Sequence, residues 1–127
     1  MQFILSVSAI EFCMKEALSR LLNNKLSKWY SKKMKKGKRM YLRTIIIESE
    51  KIGIIESNEL DYWKCILDVR NCLIYNNAIP DKNNRLDLDG IKVEFVQGKM
   101  IRGKLGFLTK LTDKSFDLYK SWIEKQI

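Results

Sequence analysis

The segment from residue 58 to residue 77 constrains the fold most, because its apolar residues recur at helical spacing on two faces. One face carries Tyr62, Ile66, Val69 and Leu73, and the other carries Leu60, Trp63, Leu67 and Ile74. A helix that is apolar on two sides needs neighbours on both, so this helix is predicted to be central. Ser57 and Asn58 are favourable N-cap residues, and Pro80, the only proline, limits extension beyond residue 77.

The remaining segments predict a helical bundle with a small β element. Apolar residues at helical spacing predict further helices over residues 2–36, 39–52 and 113–126. The polar segment 81–90 is typical of a loop, and the alternation that starts at Ile91 predicts a short β-hairpin over residues 91–105. A length of 127 residues suits one domain with one core. The predicted fold is therefore a mainly α bundle over residues 1–127, with the hairpin before the C-terminal helix.

The net charge of +9 is concentrated in one stretch. Between Ala17 and Ile47 there are ten basic and no acidic residues, whereas the rest of the chain is nearly balanced. The densest cluster comprises Lys32, Lys33, Lys35 and Lys36. Such a cluster favours polyanions, so RNA, DNA and an anionic membrane surface are candidate partners, and a merely solvated helix end is the alternative. Trp29 and Tyr30 within this stretch either stack on bases or anchor the helix in the core.

Several kinds of chemistry are excluded or disfavoured by composition. The chain has no histidine, which excludes an imidazole general base and Ser-His or Cys-His nucleophiles. The three cysteines are scattered along the chain, at Cys13, Cys65 and Cys72. Their odd number and spacing indicate a reducing, cytoplasmic compartment and argue against a structural zinc site. Asp87 and Asp89 have too few oxygen partners nearby for a cation site, so no metal or cofactor is predicted. The apolar residues 1–10 are too few to span a bilayer. A basic amphipathic helix can also lie on a membrane surface, but the rest of the chain has the pattern of an ordinary core, so no membrane partner is predicted.

Arg70 and Asn71 interrupt the apolar pattern near the end of the central helix. Burying a guanidinium is costly unless it is paired or used. Asn71 and Tyr75 share a helix face, whereas Arg70 and Tyr75 lie about 140° apart around a helix with ~3.6 residues per turn. A second copy related by a two-fold axis could bring Arg70 and Tyr75 together. The alternatives are an Arg70 paired with Asp68 or another acid, and a Tyr75 that is a simple core or interface aromatic.

The run from Arg70-Asn71 through Tyr75 to Asn76-Asn77 resembles the ribonuclease motif of the HEPN superfamily. That motif is an arginine, a polar residue that is often asparagine, and a histidine several residues later. The opening helix, with residues 7–12, is similar to the first helix of these domains, and the resemblance extends loosely over residues 1–80. It implies a HEPN-like helical bundle with the motif at the end of a central helix.

The resemblance also implies a function. Active HEPN proteins are metal-independent endoribonucleases that act as homodimers, with both motifs facing a shared cleft. Many are toxins or antiphage effectors that an antitoxin protein keeps silent. By this resemblance Arg70 would stabilise the scissile phosphate, Asn71 would hold the helix end or the phosphate, and position 75 would supply the catalytic imidazole.

Tyr75 departs from the motif, because it stands where the family has histidine. A tyrosine hydroxyl has an ordinary pKa of about 10 and is a poor base at neutral pH. Since loss of a general acid–base group costs about 10²–10⁴ in rate, we expect the chain to be inactive or very weak. Tyr75 is either native to a degenerate member or a substitution that silences a toxic protein. The alternative function is a non-catalytic HEPN-like module that binds RNA, a nucleotide or a partner protein.

Overall fold

The computed structural model describes residues 2–75, 79–88, 91–103 and 106–127. Helices contain most of the described residues, which confirms the predicted mainly α class. The helices are α1 (Gln2–Glu16), α2 (Lys25–Lys35), α3 (Leu42–Lys51), α4 (Ser57–Tyr75) and α5 (Phe107–Glu124). The strands are β1 (Asn84–Leu88), β2 (Ile91–Phe95) and β3 (Arg102–Gly103). Asn76, Asn77 and Asp89 lie outside the described residues.

The predicted first helix over residues 2–36 is not continuous. A π-helical turn, Ala17–Leu21, follows α1, and Leu22 is extended at φ −104° and ψ 142°. Asn24 then starts α2 with a capping box: its side chain accepts from the Ser27 backbone N–H at 2.9 Å, and the Ser27 hydroxyl accepts from the Asn24 N–H at 2.8 Å. The helix divides here because asparagine satisfies free N–H groups better at a cap than within a helix.

The central position of α4 agrees with the two-sided apolar pattern. Tyr62 and Trp63 lie on different faces and are both buried, as are the next residues on each stripe, Ile66, Leu67 and Val69. Leu60 and Leu73 are partly buried, and Ile74, near the helix end, is exposed. The helix contacts α1, α3 and α5, so both of its apolar faces meet other helices.

The small sheet has one more strand than the predicted hairpin. Strands β1, β2 and β3 form an antiparallel sheet in that order. The prediction of a loop over residues 81–90 was wrong for β1, where Asp87 faces Lys92 and Arg85 faces Glu94 across the strands. Opposite charges on facing strands stabilise pairing, so a polar sequence can still form an edge strand. Of the predicted return strand, the described residues include β3, in which a Cβ on Gly103 would overlap the Phe107 ring.

Helix α5 begins at Phe107, six residues before the predicted start at 113. Gly106 precedes it at φ 78°, a left-handed conformation that glycine adopts at little cost. The helix packs along α1 and also contacts α4 and β2. Trp122 secures its far end, because its buried indole Nε1 donates to the Ser49 hydroxyl on α3 at 3.1 Å. Among the described residues, no helix is long and apolar enough to cross a membrane.

Candidate functional site

Arg70 leaves α4 toward α1, where its guanidinium Nη1 donates to the Glu11 carboxylate at 3.1 Å. The Arg70 side chain is 17% exposed and that of Glu11 is 23% exposed. Lys15, one turn further along α1, also donates to Glu11, at 2.9 Å. One carboxylate therefore joins two cations and links the first helix to the central helix.

The two cations decide the ionisation of Glu11. Burial raises the pKa of this carboxyl, but hydrogen bonds from Lys15 and Arg70, together with their charges, outweigh burial. The pKa of Glu11 therefore lies below its ordinary value of 4.5, and the residue is a carboxylate at neutral pH. Arg70 is therefore paired with an acid, as one of the two interpretations from the sequence expected. The acid is Glu11 and not Asp68. Asp68 instead accepts from Arg43 at 2.6 Å.

Asn71 points to a different part of the surface. It lines a cavity of about 200 Å³ between the end of α4 and the sheet, together with Asp68, Cys72, Pro80, Asp81, Lys82, Asn84 and Phe95. Both polar and charged groups reach this space, so it could hold a polar ligand. Burial raises the pKa of Cys72, with Asp81 adding to the effect, and it raises the pKa of Cys65 to about 12. Both thiols stay protonated at neutral pH, which makes them poor nucleophiles.

Tyr75 is the last residue of α4, and 76% of its surface is exposed. The exposure is incompatible with the alternative in which Tyr75 is a core aromatic. Asn71 lies one helical turn before it, whereas Arg70 is turned toward α1. Within one chain the structure therefore places Asn71 and Tyr75 at one end of the helix but does not bring Arg70 to Tyr75.

The lysine cluster lies at the C-terminal end of α2. Lys32, Lys35 and Lys36 are exposed and Lys33 is partly buried. Cations at this end of a helix interact favourably with its dipole. In residues 2–75 and the other described ranges, none of these four lysines forms an ion pair with an acidic side chain. Trp29 is partly buried and Tyr30 is 4% exposed, so Tyr30 anchors the helix instead of stacking on a ligand.

Comparisons with known proteins add no relative. No family model, no curated protein and no solved structure matches this chain. Among the described residues, no group of three or more histidine, cysteine, aspartate or glutamate side chains could hold a metal ion.

Sequence reasoning did not identify Glu11 as part of the site. The partner of Arg70 lies 59 residues away, so no local spacing could reveal it. The available signal was weaker: an acid within the apolar first helix, four residues before Lys15. Such an acid implies a buried or half-buried partner but does not identify it.

The ion pairs at Glu11 and Glu59 predict a loss of stability in acid. Burial raises the pKa of Glu59, but hydrogen bonds from Lys125, the Glu56 backbone and Ser121 lower it by a larger amount. The pKa of Glu59 therefore lies below its ordinary value of 4.5. A lowered folded-state pKa means that the contribution is complete above 4.5 and is lost as the pH falls toward the folded-state value. We expect the free energy of unfolding, measured in urea, to decrease over that range.

The matched variant is E11Q/E59Q, which cannot gain these protons. Its free energy of unfolding should be lower at neutral pH but should change less below pH 4.5. Equal acid dependence in the two proteins would contradict this role for the two carboxylates.

Proposed function

We propose that this chain is a HEPN-type endoribonuclease domain that retains its RNA-binding groups and has lost most of its cleavage activity through Tyr75. The observation that carries the proposal is the exposed Tyr75 at the end of α4, one turn after Asn71, which lines an open cavity. A group that acts on RNA must be accessible, and position 75 is. By its resemblance to the HEPN motif, the surrounding sequence implies that position 75 would carry the catalytic histidine in an active relative.

The Arg70–Glu11 pair is compatible with this proposal. A carboxylate on a guanidinium marks a position that accepts anions, and the pair keeps some exposure to solvent. A phosphate would compete with Glu11 for the donors of Arg70, and Glu11 would keep Lys15 as its partner. The proposal therefore requires Arg70 to exchange one anion for another when RNA binds.

The proposal includes a homodimer, because Arg70 and Tyr75 diverge by about 140° on one helix. A two-fold axis near the end of α4 would place Tyr75 of one copy beside Arg70 of the other. In this role the protein is a cytoplasmic toxin or antiphage effector, paired with an antitoxin, and it uses no metal or cofactor. The decisive test is the reversion Tyr75→His, assayed for metal-free RNA cleavage.

A second candidate function, a non-catalytic RNA-binding module, is favoured by the lysine cluster on α2, which is largely exposed and forms no ion pair with an acid that the structure describes. Phosphate contacts by these lysines would give affinity without base recognition. We expect the quadruple variant K32A/K33A/K35A/K36A to bind RNA more weakly. Its plot of log K against log salt should be shallower by roughly 0.7 for each lost contact with a single strand. Fluorescence anisotropy at several salt concentrations measures both quantities.

A matched control removes the same charge elsewhere. Lys51, Lys64, Lys99 and Lys110 are exposed on other parts of the surface. The variant K51A/K64A/K99A/K110A should keep most of the affinity and the slope. Equal losses in both quadruple variants would mean that net charge, and not this cluster, attracts RNA.

A further inference from the structure

A groove of about 450 Å³ lies between α1, the end of α2 and the segment that leads into α3. Its walls include Glu11 and Lys15 on one side, with Met34, Lys38, Arg39 and Tyr41 on the other. This volume falls in the range of roughly 300–1,000 Å³ typical of small-ligand sites. The groove adjoins the lysine cluster on α2 and, through Glu11, the ion pair of Arg70.

The charge of this groove favours an anion. Lys38 and Arg39 are exposed and form no ion pair with any acid in the described ranges. The carboxylate in the wall, Glu11, is already neutralised by Lys15 and Arg70. An anion that enters therefore meets two free cations, and the nearest negative charge is compensated.

The groove also offers apolar surface. Tyr41 is 57% exposed and Met34 is 48% exposed. The Tyr41 backbone is fixed, because its carbonyl accepts the first hydrogen bonds of α3, from the Thr44 and Ile45 N–H groups at 3.1 and 3.2 Å. A held backbone with an exposed ring is suited to stacking on a planar partner.

We propose that this groove binds one nucleotide of single-stranded RNA, with the base stacked on Tyr41 and the phosphate held by Lys38 and Arg39. The inference rests on the proposed RNA-binding function and specifies its substrate class. Base stacking needs an unpaired base, because the bases of an RNA duplex are stacked on one another and are read mainly through shape and backbone. The strand would continue from the lysine cluster on α2 toward Arg70.

An acidic peptide is the competing occupant, because it also carries negative charge. It has no planar bases, so the exposed Tyr41 ring favours RNA. The two occupants differ in one measurable respect. Removal of the Tyr41 ring should weaken RNA binding strongly, whereas binding of a polyglutamate peptide should depend on the basic side chains and not on this ring.

The test compares the full chain with Y41A, Y41F and F116A in binding a labelled single-stranded RNA, an RNA duplex of the same sequence, and polyglutamate. Phe116 is the matched control, an exposed aromatic on α5. We expect Y41A to weaken single-strand binding by roughly 5- to 150-fold, which corresponds to about 1–3 kcal/mol for one stacked base. Y41F and F116A should bind nearly as the parent does, and duplex binding should change little in Y41A.

Two results would overturn the groove inference but leave the RNA-binding proposal standing. One is equal single-strand affinity of Y41A and F116A, and the other is polyglutamate competing as well as RNA. If the parent chain binds no single-stranded RNA, the RNA-binding proposal fails as well. A second measurement needs no variant: the parent chain is titrated with AMP, and NMR follows the chemical shifts of the Arg39 and Tyr41 backbone amides. If these chemical shifts do not change, the nucleotide site is also contradicted.

Discussion

Replacing Tyr75 with histidine is expected to raise RNA cleavage by about 10²–10⁴-fold, the usual contribution of a general acid–base group. A free imidazole, with an ordinary pKa of about 6.5, exchanges protons readily at neutral pH, whereas a free phenol, with an ordinary pKa of about 10, is a poor base there. The change should leave the fold intact, because 76% of the Tyr75 surface is exposed and exposed substitutions usually alter stability by about 0.5 kcal/mol or less. Gel analysis of RNA in the presence of EDTA measures the cleavage.

Two controls make the result specific to the motif. Y75F should gain no activity, since it also lacks an imidazole. Y75H/R70K keeps a cation beside Glu11 and so keeps the link between α1 and α4, but it loses the planar fork that binds a phosphate through two donors. Cleavage should therefore fall again in this double variant. If folded Y75H leaves RNA intact, the ribonuclease proposal is wrong and the binding module is favoured.

The helical part of the fold could be predicted because its signals are local. The apolar stripes of α4 needed only the spacing of neighbouring residues. The helix begins at Ser57, one residue before the predicted segment 58–77, so Ser57 and Asn58 lie in its first turn and not at its N-cap. The interruption between α1 and α2 also had a local signal in Asn23 and Asn24, because asparagine caps helices well. The apolar pattern continues beyond these residues, and the capping box outweighs it.

The sheet was harder to predict because its evidence is not local. Taken alone, β1 reads as a polar loop, and only its pairing with β2 explains why it is extended. Lys92 lies 3.8 Å from Asp87 across the strands. Such cross-strand pairs become visible once the register is known. The sequence therefore supported β2, where buried Ile91, Val93 and Phe95 alternate with exposed residues, and the return segment that contains β3, but not β1.

The candidate site divides in the same way. The motif residues and the lysine cluster stand out in the sequence as departures from local patterns, and the structure leaves both Tyr75 and most of the cluster accessible. The ion pair of Arg70 and the groove beside Glu11 depend on how α1, α2 and α4 pack. Local spacing contains no information about that packing, which is why the acid that holds Arg70 was missed.

Replacing Trp122 with alanine is expected to lower the free energy of unfolding by about 3–5 kcal/mol. Trp122 is 1% exposed, stacks on Tyr119 with ring centres 6.3 Å apart, and donates to the buried Ser49 hydroxyl. Its loss removes apolar contacts and leaves a cavity, while Ser49 keeps its own bond to the Ile45 carbonyl. Since domains of this size are stable by about 5–15 kcal/mol, the loss is a large fraction of the total.

Urea unfolding checks this value against two variants on the same helix. W122F keeps an aromatic ring but lacks the indole N–H, so its free energy of unfolding should decrease by less than that of W122A. F116A removes an aromatic that is 47% exposed and should cost much less than W122A. Equal losses in W122A and F116A would mean that α5 is not secured through Trp122.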